Sequence, residues 1–475
     1  MSTYIASFRA RLNSADLSSR LASIVRIFPK GRPENIFAVL GLIFGIAFVF
    51  IIPPGQAPDE HYHFYRAFNI SEGRFLGTNQ GSYCGDLLPA NLLAVAETFQ
   101  PLAFHREVKT TKARLINLAS IPLEPTNRRP AAFCNAIAYL PVIHLPQSIG
   151  IFIGRLLRLP PLLLSYAGRL VNCIVGLLLT YLAIRSIPVL KYGLLLLAMM
   201  PMTVFLRSTM SGDVITIGLA HLVSATLIRW ALEADAVRKS DLVITGILSI
   251  MLIASKFAYY PLTLLTLVVP AKIFGGGARK LAFFFCISAI GLGLIFAWTH
   301  SIGGLVVSNH QQPLIERALV IINKPQDFIS MAWYTAKISW WPWLVMRIGV
   351  LGWLDTGLPI GLLYSCLTAI GVVVILDGYA EVRLPIQVRL LAVFIFGVTV
   401  LDIFAGLFIT TSAGPFIQGF QGRYLIPLDV VILLMMAHRS PWKLELRPVV
   451  GLLVSLFISY SLLVTGWVLQ SRYYG

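Results

Sequence analysis

The sequence has few charged residues and few cysteines for its length. Asp, Glu, Lys and Arg make up 12% of its 475 residues, against about 25% in a typical soluble domain. This scarcity excludes a soluble globular enzyme. The five cysteines are too few for a disulfide scaffold, and none stands in the Cys-x-x-Cys spacing of a zinc site.

Long apolar runs take the place of the missing charge. Hydrophobic residues make up 57% of the chain and the mean hydropathy is +0.78, which also excludes a disordered chain. Because about 20 apolar residues cross a bilayer, the sequence predicts an all-α polytopic membrane protein with about eleven transmembrane helices. The predicted spans are 36–52, 162–184, 192–206, 214–232, 242–255, 258–273, 281–298, 357–376, 390–410, 424–437 and 449–469.

The basic residues orient the chain in the membrane. Lys and Arg number 38 against 21 Asp and Glu, a formal charge of +17, and such an excess beside membrane spans marks the cytoplasmic side before it indicates nucleic acid. Half of these cations fall on one side when the N-terminus is cytoplasmic and 137–157 is a surface helix. The alternative is that 137–157 spans the membrane, which would reverse the membrane orientation of every later span.

This orientation predicts the order of the segments. Long loops of this kind usually carry function, so the first periplasmic loop is of most interest. The segments are a cytoplasmic basic amphipathic tail (1–33), the first span (34–53), a long periplasmic loop with interfacial helices (54–161), spans two to seven (162–300), a periplasmic Trp-rich loop (301–356) and spans eight to eleven (357–475).

Two acids and two histidines follow the first span directly. From residue 53 the chain reads PPGQAPDEHYHFYR, which contains Asp59, Glu60, His61 and His63. An ordinary solvated loop start is the simpler interpretation. However, ionisable groups at the membrane rim are costly unless they are paired or used. Either acid can act as a general base on a hydroxyl, whereas metal binding by the histidines is the less favoured alternative.

Further polar side chains are predicted at a similar depth on the same side. Asp213 either caps a helix or supports catalysis, and Lys256 either snorkels to the interface or binds a phosphate. Arg423 stands among glycines and can grip a phosphate with two donors. Asp355, beside several tryptophans, is placed to bind a hydroxylated substrate.

Two cysteines fall in the long first loop. Cys84 and Cys134 form a candidate disulfide if that loop faces an oxidising compartment.

These motifs resemble a known family. PDEHYHFYRA with ISEG, SGD, the Lys256 segment with its Tyr-Pro, GWLD and QGRYLIP are similar to the bacterial domain-of-unknown-function 2142 family, a relative of the GT-C superfamily of polyprenyl-phosphate-sugar-dependent glycosyltransferases. The resemblance covers nearly the whole chain from residue 36 to 427.

The resemblance implies an inverting transfer of a sugar from a polyprenyl phosphate to a cell-envelope glycan or lipid-linked acceptor. It places the protein in the bacterial inner membrane, with its site facing the periplasm and without a metal cofactor. The implied catalytic acids are Asp59, with Glu60 as the close alternative, and Asp213. The implied donor-phosphate ligands are Lys256 and Arg423. Substrate contacts are expected from His61, His63, Arg66, Asp355, Gln421 and Tyr424.

A transporter or flippase of lipid-linked precursors is the rival interpretation. Its polar groups are expected near the bilayer midplane on broken helices, often within an internal repeat. The sequence shows no repeat, and its polar motifs gather at one predicted rim.

Overall fold

The computed structural model describes residues 32–79, 84–303, 314–377, 384–411, 414–437 and 447–474. Most of the expected amphipathic tail, residues 1–31, lies outside these ranges.

Helices account for most of the described chain. They are α1 (Pro33–Ile51), α2 (Glu60–Ser71), α3 (Ala90–Phe99), α4 (Lys112–Ala119), α5 (Cys134–Ile137), α6 (Leu145–Leu156), α7 (Pro161–Ser186), α8 (Lys191–Ala198), α9 (Pro201–Arg207), α10 (Asp213–Leu232), α11 (Lys239–Ser255), α12 (Gly277–Ser301), α13 (Leu314–Asn323), α14 (Pro325–Gly349), α15 (Ile360–Leu376), α16 (Ile386–Thr410), α17 (Asp429–Met436) and α18 (Arg447–Tyr473).

Six helices of the described ranges are long and apolar enough to cross a membrane: α1, α7, α10, α12, α16 and the 449–473 part of α18. They differ in how deeply they are buried in the protein. In the most apolar window of α10, 89% of the residues are buried, against 22% in α12 and 28% in α16. α10 is therefore the central helix of the bundle, while α12 and α16 expose apolar faces typical of lipid contact. The polytopic all-α membrane class is confirmed.

Several other predicted spans are discontinuous helices. The 192–206 block is split into α8 and α9, and the 258–273 block begins as a 3-10 helix, the first 3-10 segment (Phe257–Val268). The 424–437 block starts as the second 3-10 segment (Gly422–Leu428) before α17. Pro201, Pro261 and Pro427 lie at these breaks, since proline cannot donate to the helix ladder and clashes with the preceding turn.

The 53–160 segment covers one end of the bundle, which we call the loop end. It contains α2 to α6 and a three-stranded antiparallel sheet of β1 (Thr78–Asn79), β2 (Cys84–Pro89) and β3 (Arg128–Ala132), with β2 in the centre. Cys84 and Cys134 are joined by a disulfide with a Cα–Cα distance of 5.5 Å. The short sheet was not foreseen by the all-α prediction.

The ambiguous 137–157 region is interrupted, as its prolines predict. A 3-10 turn at Pro141–His144 leads into α6, which has 12 residues. Because a span needs about 20 residues, α6 is too short to cross a bilayer. It packs along α7 and α2 at the loop end.

The expected Trp-rich loop, 301–356, is largely helical. It contains α13 and the 25-residue helix α14, followed by a hairpin of β4 (Val350–Leu351) and β5 (Thr356–Gly357). Its tryptophans also divide: Trp343 is buried against Phe420, with ring centres 4.4 Å apart, whereas Trp333 and Trp340 are exposed. Only the exposed ones fit the aromatic belt that their density suggested.

Candidate active site

Asp59 stands at the bend where the chain leaves α1 and begins α2. Pro53 and Pro54 do not continue a helix, Gly55 turns with a φ of +77°, and Asp59 takes the left-handed conformation with a φ of 62°. Asp tolerates that conformation better than most residues. The Asp59 carboxylate is half-buried and forms no hydrogen bond or ion pair with any described residue. The bend therefore presents an unengaged acid at the loop end.

Glu60, the adjacent acid, is fully engaged. Its two oxygens accept from Arg169 Nε and Nη2 at 2.7 and 2.8 Å, and the backbone N–H groups of Met210 and Ala57 donate to it at 3.0 and 3.2 Å. Only 3% of the Glu60 side chain and none of the Arg169 side chain is exposed. The structure thus distinguishes two acids that the sequence left as alternatives: in the described ranges, the Glu60 carboxylate is hydrogen-bonded and the Asp59 carboxylate is not.

Arg169 fastens α7 to the end of α1. Besides Glu60, it donates to the carbonyl oxygens of Val49, Ile52 and Pro53 at 3.1, 2.5 and 3.0 Å. Carbonyls at a helix C-terminus have no partner within their own helix, and the guanidinium supplies one. The buried hydrogen bonds of Arg169 therefore hold the Asp59 bend in place.

Asp213, Lys256 and Arg423 form one buried group, which we call the Asp213 cluster. Lys256 Nζ forms an ion pair with Asp213 Oδ1, and Arg423 Nε lies 3.6 Å from Asp213 Oδ2. The exposed fractions of the three side chains are 12%, 18% and 7% in that order. Two cations share one carboxylate, so the cluster keeps a net positive charge that attracts an anion.

Breaks in the membrane helices bring the Asp213 cluster together. Asp213 is the first residue of α10, Lys256 precedes the first 3-10 segment, and Arg423 lies in the second 3-10 segment. The second segment lies so close to α14 that a Cβ at Gly422 would collide with the Trp343 carbonyl oxygen. Irregular backbone at membrane depth is tolerated where it is buried in protein, which is the situation here.

Two tyrosine rings border the cations. Lys256 Nζ lies 5.3 Å from the centre of the Tyr139 ring and 5.7 Å from that of Tyr424, and the Arg423 guanidinium lies 5.5 Å from Tyr424. Tyr259 donates a hydrogen bond to the Tyr424 carbonyl at 3.0 Å. Cation–π contacts attract the charges without neutralising them, so the rings position the cations and leave their charge available.

A pair of histidines adjoins the Asp213 cluster. His63 Nδ1 and His144 Nε2 lie 2.8 Å apart. Burial lowers the pKa of His63 to about 4, although the carboxylates of Asp213 and Asp59 act in the opposite direction. Burial also holds the pKa of His144 well below its usual range. Both rings are therefore neutral at pH 7.

Asp355, expected to contact substrate, belongs to a structural junction. Its carboxylate accepts from Arg472 Nη2 at 2.9 Å, from the Phe104 backbone N–H at 3.0 Å and from the Thr356 hydroxyl at 3.0 Å. Arg106 Nε donates to the Asp355 carbonyl at 2.9 Å. These bonds fasten the loop end to the end of α18 and leave the carboxylate little capacity for a substrate hydroxyl.

Three other expected substrate contacts lie outside the Asp213 cluster. Arg66 is fully buried and donates to the Phe75 carbonyl at 2.5 Å. His61 is half-buried, with its ring centre 5.7 Å from that of Trp353. Gln421 is half-buried at the start of the second 3-10 segment. Tyr424 is thus the expected substrate contact that borders the cations, together with His63 beside them.

In the described ranges, no three His, Cys, Asp or Glu side chains converge on a metal-ligating geometry. His63 pairs with His144 rather than with His61. Metal independence stays a prediction.

The sequence was compared with protein families, curated proteins and solved structures. A family model, described as predicted membrane protein (DUF2142), matches residues 42–433. The chain belongs to this family. The match contains Asp59 and the whole Asp213 cluster, and the resemblance to the domain-of-unknown-function 2142 family is confirmed. No curated protein and no solved structure matches the chain, so the GT-C relationship stays a prediction.

Three residues that shape the site of this DUF2142 protein were missed in the sequence. Arg169 carried a usable signal, because an arginine inside an apolar span needs a partner. Tyr139 and His144 lie in the proline-interrupted 137–157 region, where no periodicity indicates which side chains face inward. Their contacts depend on how that region folds back over α2 and α10.

Proposed function

We propose that this DUF2142 protein is an integral-membrane glycosyltransferase of the GT-C type, with about eleven spans. It moves a sugar from a polyprenyl-phosphate donor to a cell-envelope glycan or lipid-linked acceptor. One observation carries the proposal: an unengaged carboxylate, Asp59, lies at the loop end within electrostatic range of Arg423. Arg423 belongs to the Asp213 cluster, which has two cations and one acid. Proton acceptance and phosphate binding are the two capacities that this transfer needs.

In the proposed reaction, Asp59 accepts the proton of an acceptor hydroxyl. That oxygen forms a bond to the anomeric carbon of the donor sugar, from the face opposite the phosphate, and the bond between this carbon and the phosphate oxygen breaks. The bonding electron pair leaves on the polyprenyl phosphate. Lys256 and Arg423 stabilise the developing negative charge, which preorganised cations do most effectively in a site shielded from water. The configuration at the anomeric carbon is inverted.

Asp213 takes a different role from the catalytic one that the resemblance implied. Both of its oxygens face cations, so the carboxylate is already engaged by Lys256 and Arg423. We propose that it keeps Lys256 and Arg423 at a fixed separation while the donor is absent. Its single charge leaves one positive charge for the phosphate.

The proposed location is the bacterial inner membrane, with the N-terminus in the cytoplasm and the site facing the periplasm. The excess of Lys and Arg in the short segments on the opposite side supports this orientation. The Cys84–Cys134 bond in the loop end supports it as well, because disulfides persist in oxidising compartments such as the periplasm. We expect transfer without a metal cofactor.

The test is a transfer assay with the full chain in lipid nanodiscs. Undecaprenyl-phosphate glucose, mannose and arabinose are offered as donors with envelope glycan extracts, and products are followed by mass spectrometry. Loss of transfer in Asp59→Asn, with a normally folded protein, supports the proposal. Undiminished transfer by that variant, or no transfer from any polyprenyl-phosphate sugar, contradicts it.

Discontinuous helices favour a second candidate, a transporter or flippase of lipid-linked precursors. Broken helices at binding sites are typical of transporters, and Lys256 and Arg423 both lie at such breaks. Proteoliposomes containing a fluorescent polyprenyl phosphate separate the two functions. Movement of the probe between leaflets that survives Asp59→Asn favours the transporter, whereas sugar transfer that needs Asp59 favours the enzyme.

A further inference from the structure

The His63–His144 pair has no role in the proposed transfer, although it adjoins the Asp213 cluster. His144 is fully buried, and its Nδ1 has no partner in the described ranges. His63 is half-buried, and no described residue hydrogen-bonds to its Nε2. One edge of the His63 ring is therefore held by protein, and the opposite edge is available.

The 2.8 Å contact between His63 Nδ1 and His144 Nε2 needs one proton between the rings, because both rings are neutral. If His63 supplied that proton, His144 would carry its own proton on the buried Nδ1, as an N–H without an acceptor. Orphaned buried N–H groups are rarer than unsatisfied acceptors. We therefore assign the proton to His144 Nε2, which leaves His63 protonated on Nε2.

The charges around His63 agree with that assignment. The strongest charge interactions of the ring are with the carboxylates of Asp213 and Asp59, followed by the cations Lys256 and Arg423. Carboxylates nearby favour an N–H over a lone pair on the free edge of the ring. The same cations would hold the phosphate, so the His63 ring lies beside the proposed phosphate position.

We propose that His144 is a positioning residue that donates Nε2–H to His63 Nδ1 and so keeps His63 a neutral donor for a phosphate oxygen held by Lys256 and Arg423. The inference deepens the proposed function, which supplies the ligand class: the lipid phosphodiester of the donor, which becomes a lipid phosphate monoester when the sugar leaves. Lys256 and Arg423 already supply the positive charge of the site, so a neutral third hydrogen-bond donor would mainly orient the phosphate. Its loss should weaken phosphate binding about threefold to tenfold, as for a single uncharged hydrogen bond.

Two measurements on the full chain in nanodiscs test the inference, and neither needs turnover. The first is ¹⁵N NMR of protein labelled at its eight histidines, in which the His63 signals are identified by their loss in His63→Gln. The second is the affinity for farnesyl phosphate, with farnesol as the uncharged comparison and inorganic phosphate as the headgroup without lipid. Both are measured in wild type, His144→Gln, His144→Asn and His144→Leu.

The expected wild-type spectrum shows His63 protonated on Nε2, with that signal shifted by farnesyl phosphate. The amide nitrogen of glutamine reaches the place of His144 Nε2, so His144→Gln keeps the tautomer and the affinity within about twofold. His144→Asn and His144→Leu place no donor at the position of His144 Nε2, so both variants should lose the His63 tautomer and the affinity for farnesyl phosphate. His105→Asn, at an exposed histidine of the same segment, changes neither.

Three results overturn the inference: His63 protonated on Nδ1 in the wild type, an unchanged tautomer in His144→Asn, or an equal loss of affinity in His144→Gln and His144→Asn. If His144→Leu does not fold, the Gln and Asn variants alone decide. A protein that binds farnesyl phosphate through His63 but transfers no sugar refutes the proposed transferase and leaves this inference standing. If farnesyl phosphate binds with the same affinity whichever nitrogen of His63 is protonated, this inference is refuted and the proposed transferase stands.

Discussion

The Glu60–Arg169 pair and the Asp213 cluster are both buried at the loop end, but their charges balance differently. Glu60 meets one guanidinium, and two backbone N–H groups complete its hydrogen bonds. Asp213 meets two cations, and tyrosine rings border them. The first arrangement needs nothing further, whereas the second retains a positive charge.

This difference separates a structural ion pair from a binding site. Burying an ion costs several kcal/mol unless its charge and hydrogen bonds are matched, so a matched pair stabilises one geometry and an unmatched cluster favours a ligand that completes it. Asp59 lies one residue before Glu60 and close to the Asp213 cluster. The Glu60–Arg169 pair fixes its position, and the Asp213 cluster sets its electrostatic environment.

The largest effect is expected from Asp59→Asn. Removing a general base typically costs about 10²–10⁴-fold in rate, and this unengaged side chain contributes little to stability. Transfer should therefore fall by that factor while the unfolding temperature in detergent is unchanged. Asp235→Asn, at an acid with 98% of its side chain exposed, is the matched control and should retain full activity. A comparable loss of transfer in both variants would contradict the assignment.

Glu60→Gln should act on stability first. It leaves Arg169 buried without its counter-charge, which typically costs about 3–5 kcal/mol. We expect a markedly lower unfolding temperature, measured by tryptophan fluorescence, and a lower yield of folded protein. Glu60→Leu combined with Arg169→Met removes both charges and should recover part of that loss. If Glu60→Gln unfolds like the wild type, the contrast between the two regions fails.

Lys256→Met should weaken farnesyl phosphate binding about tenfold to hundredfold, the range for a hydrogen bond to a charged group. Arg423→Met should do the same, because each removes the surplus charge. Titration of the ligand in nanodiscs at two salt concentrations measures the effect, which should shrink at high salt. Lys112→Met, at an exposed lysine of α4, serves as the control. Equal affinity for farnesyl phosphate in all three variants would contradict the assignment of the phosphate to this site.

Asp213→Asn should have a smaller effect of opposite sign on binding. Without the carboxylate, Lys256 and Arg423 both face the ligand uncompensated, so farnesyl phosphate should bind a few fold more tightly. The same titration measures it. Weaker binding in Asp213→Asn would contradict the expected sign, and would mean that the spacing which this acid gives to Lys256 and Arg423 matters more for phosphate binding than the positive charge it neutralises.

The smallest expected effect concerns pH. The pKa of His63 is about 4 in the folded protein against 6.5 as its ordinary value, so the unfolded chain binds more protons between these values. Stability should therefore be complete above about pH 6.5 and fall as the pH drops towards 4. The unfolding temperature of His63→Gln should decline less over this range, with the remainder due to His144. His105→Gln should decline like the wild type, and an identical decline in all three proteins would contradict the pKa shift.

The sequence predicted parts of this arrangement for physical reasons. Hydropathy identified the long spans, because their length and apolarity are set by the bilayer. Asp59, Asp213, Lys256 and Arg423 were recognisable because ionisable groups beside apolar runs are rare. The 3-10 segments were not, since a hydropathy window cannot distinguish a continuous helix from an irregular segment that is buried in protein. The sequence predicts a loop where α14 lies, because the aromatic and charged residues of this helix interrupt the apolar run.

By itself, the sequence determined that this protein lies in a membrane, that it belongs to the DUF2142 family and which few ionisable residues stand at the ends of its spans. These properties depend on composition and local order along the chain. Only the tertiary structure decided that Glu60 is bound by Arg169, that Asp213 is shared by two cations and that His63 meets His144. Those pairings join residues 43 or more positions apart, and the state of a buried charge depends on which partner the fold brings to it.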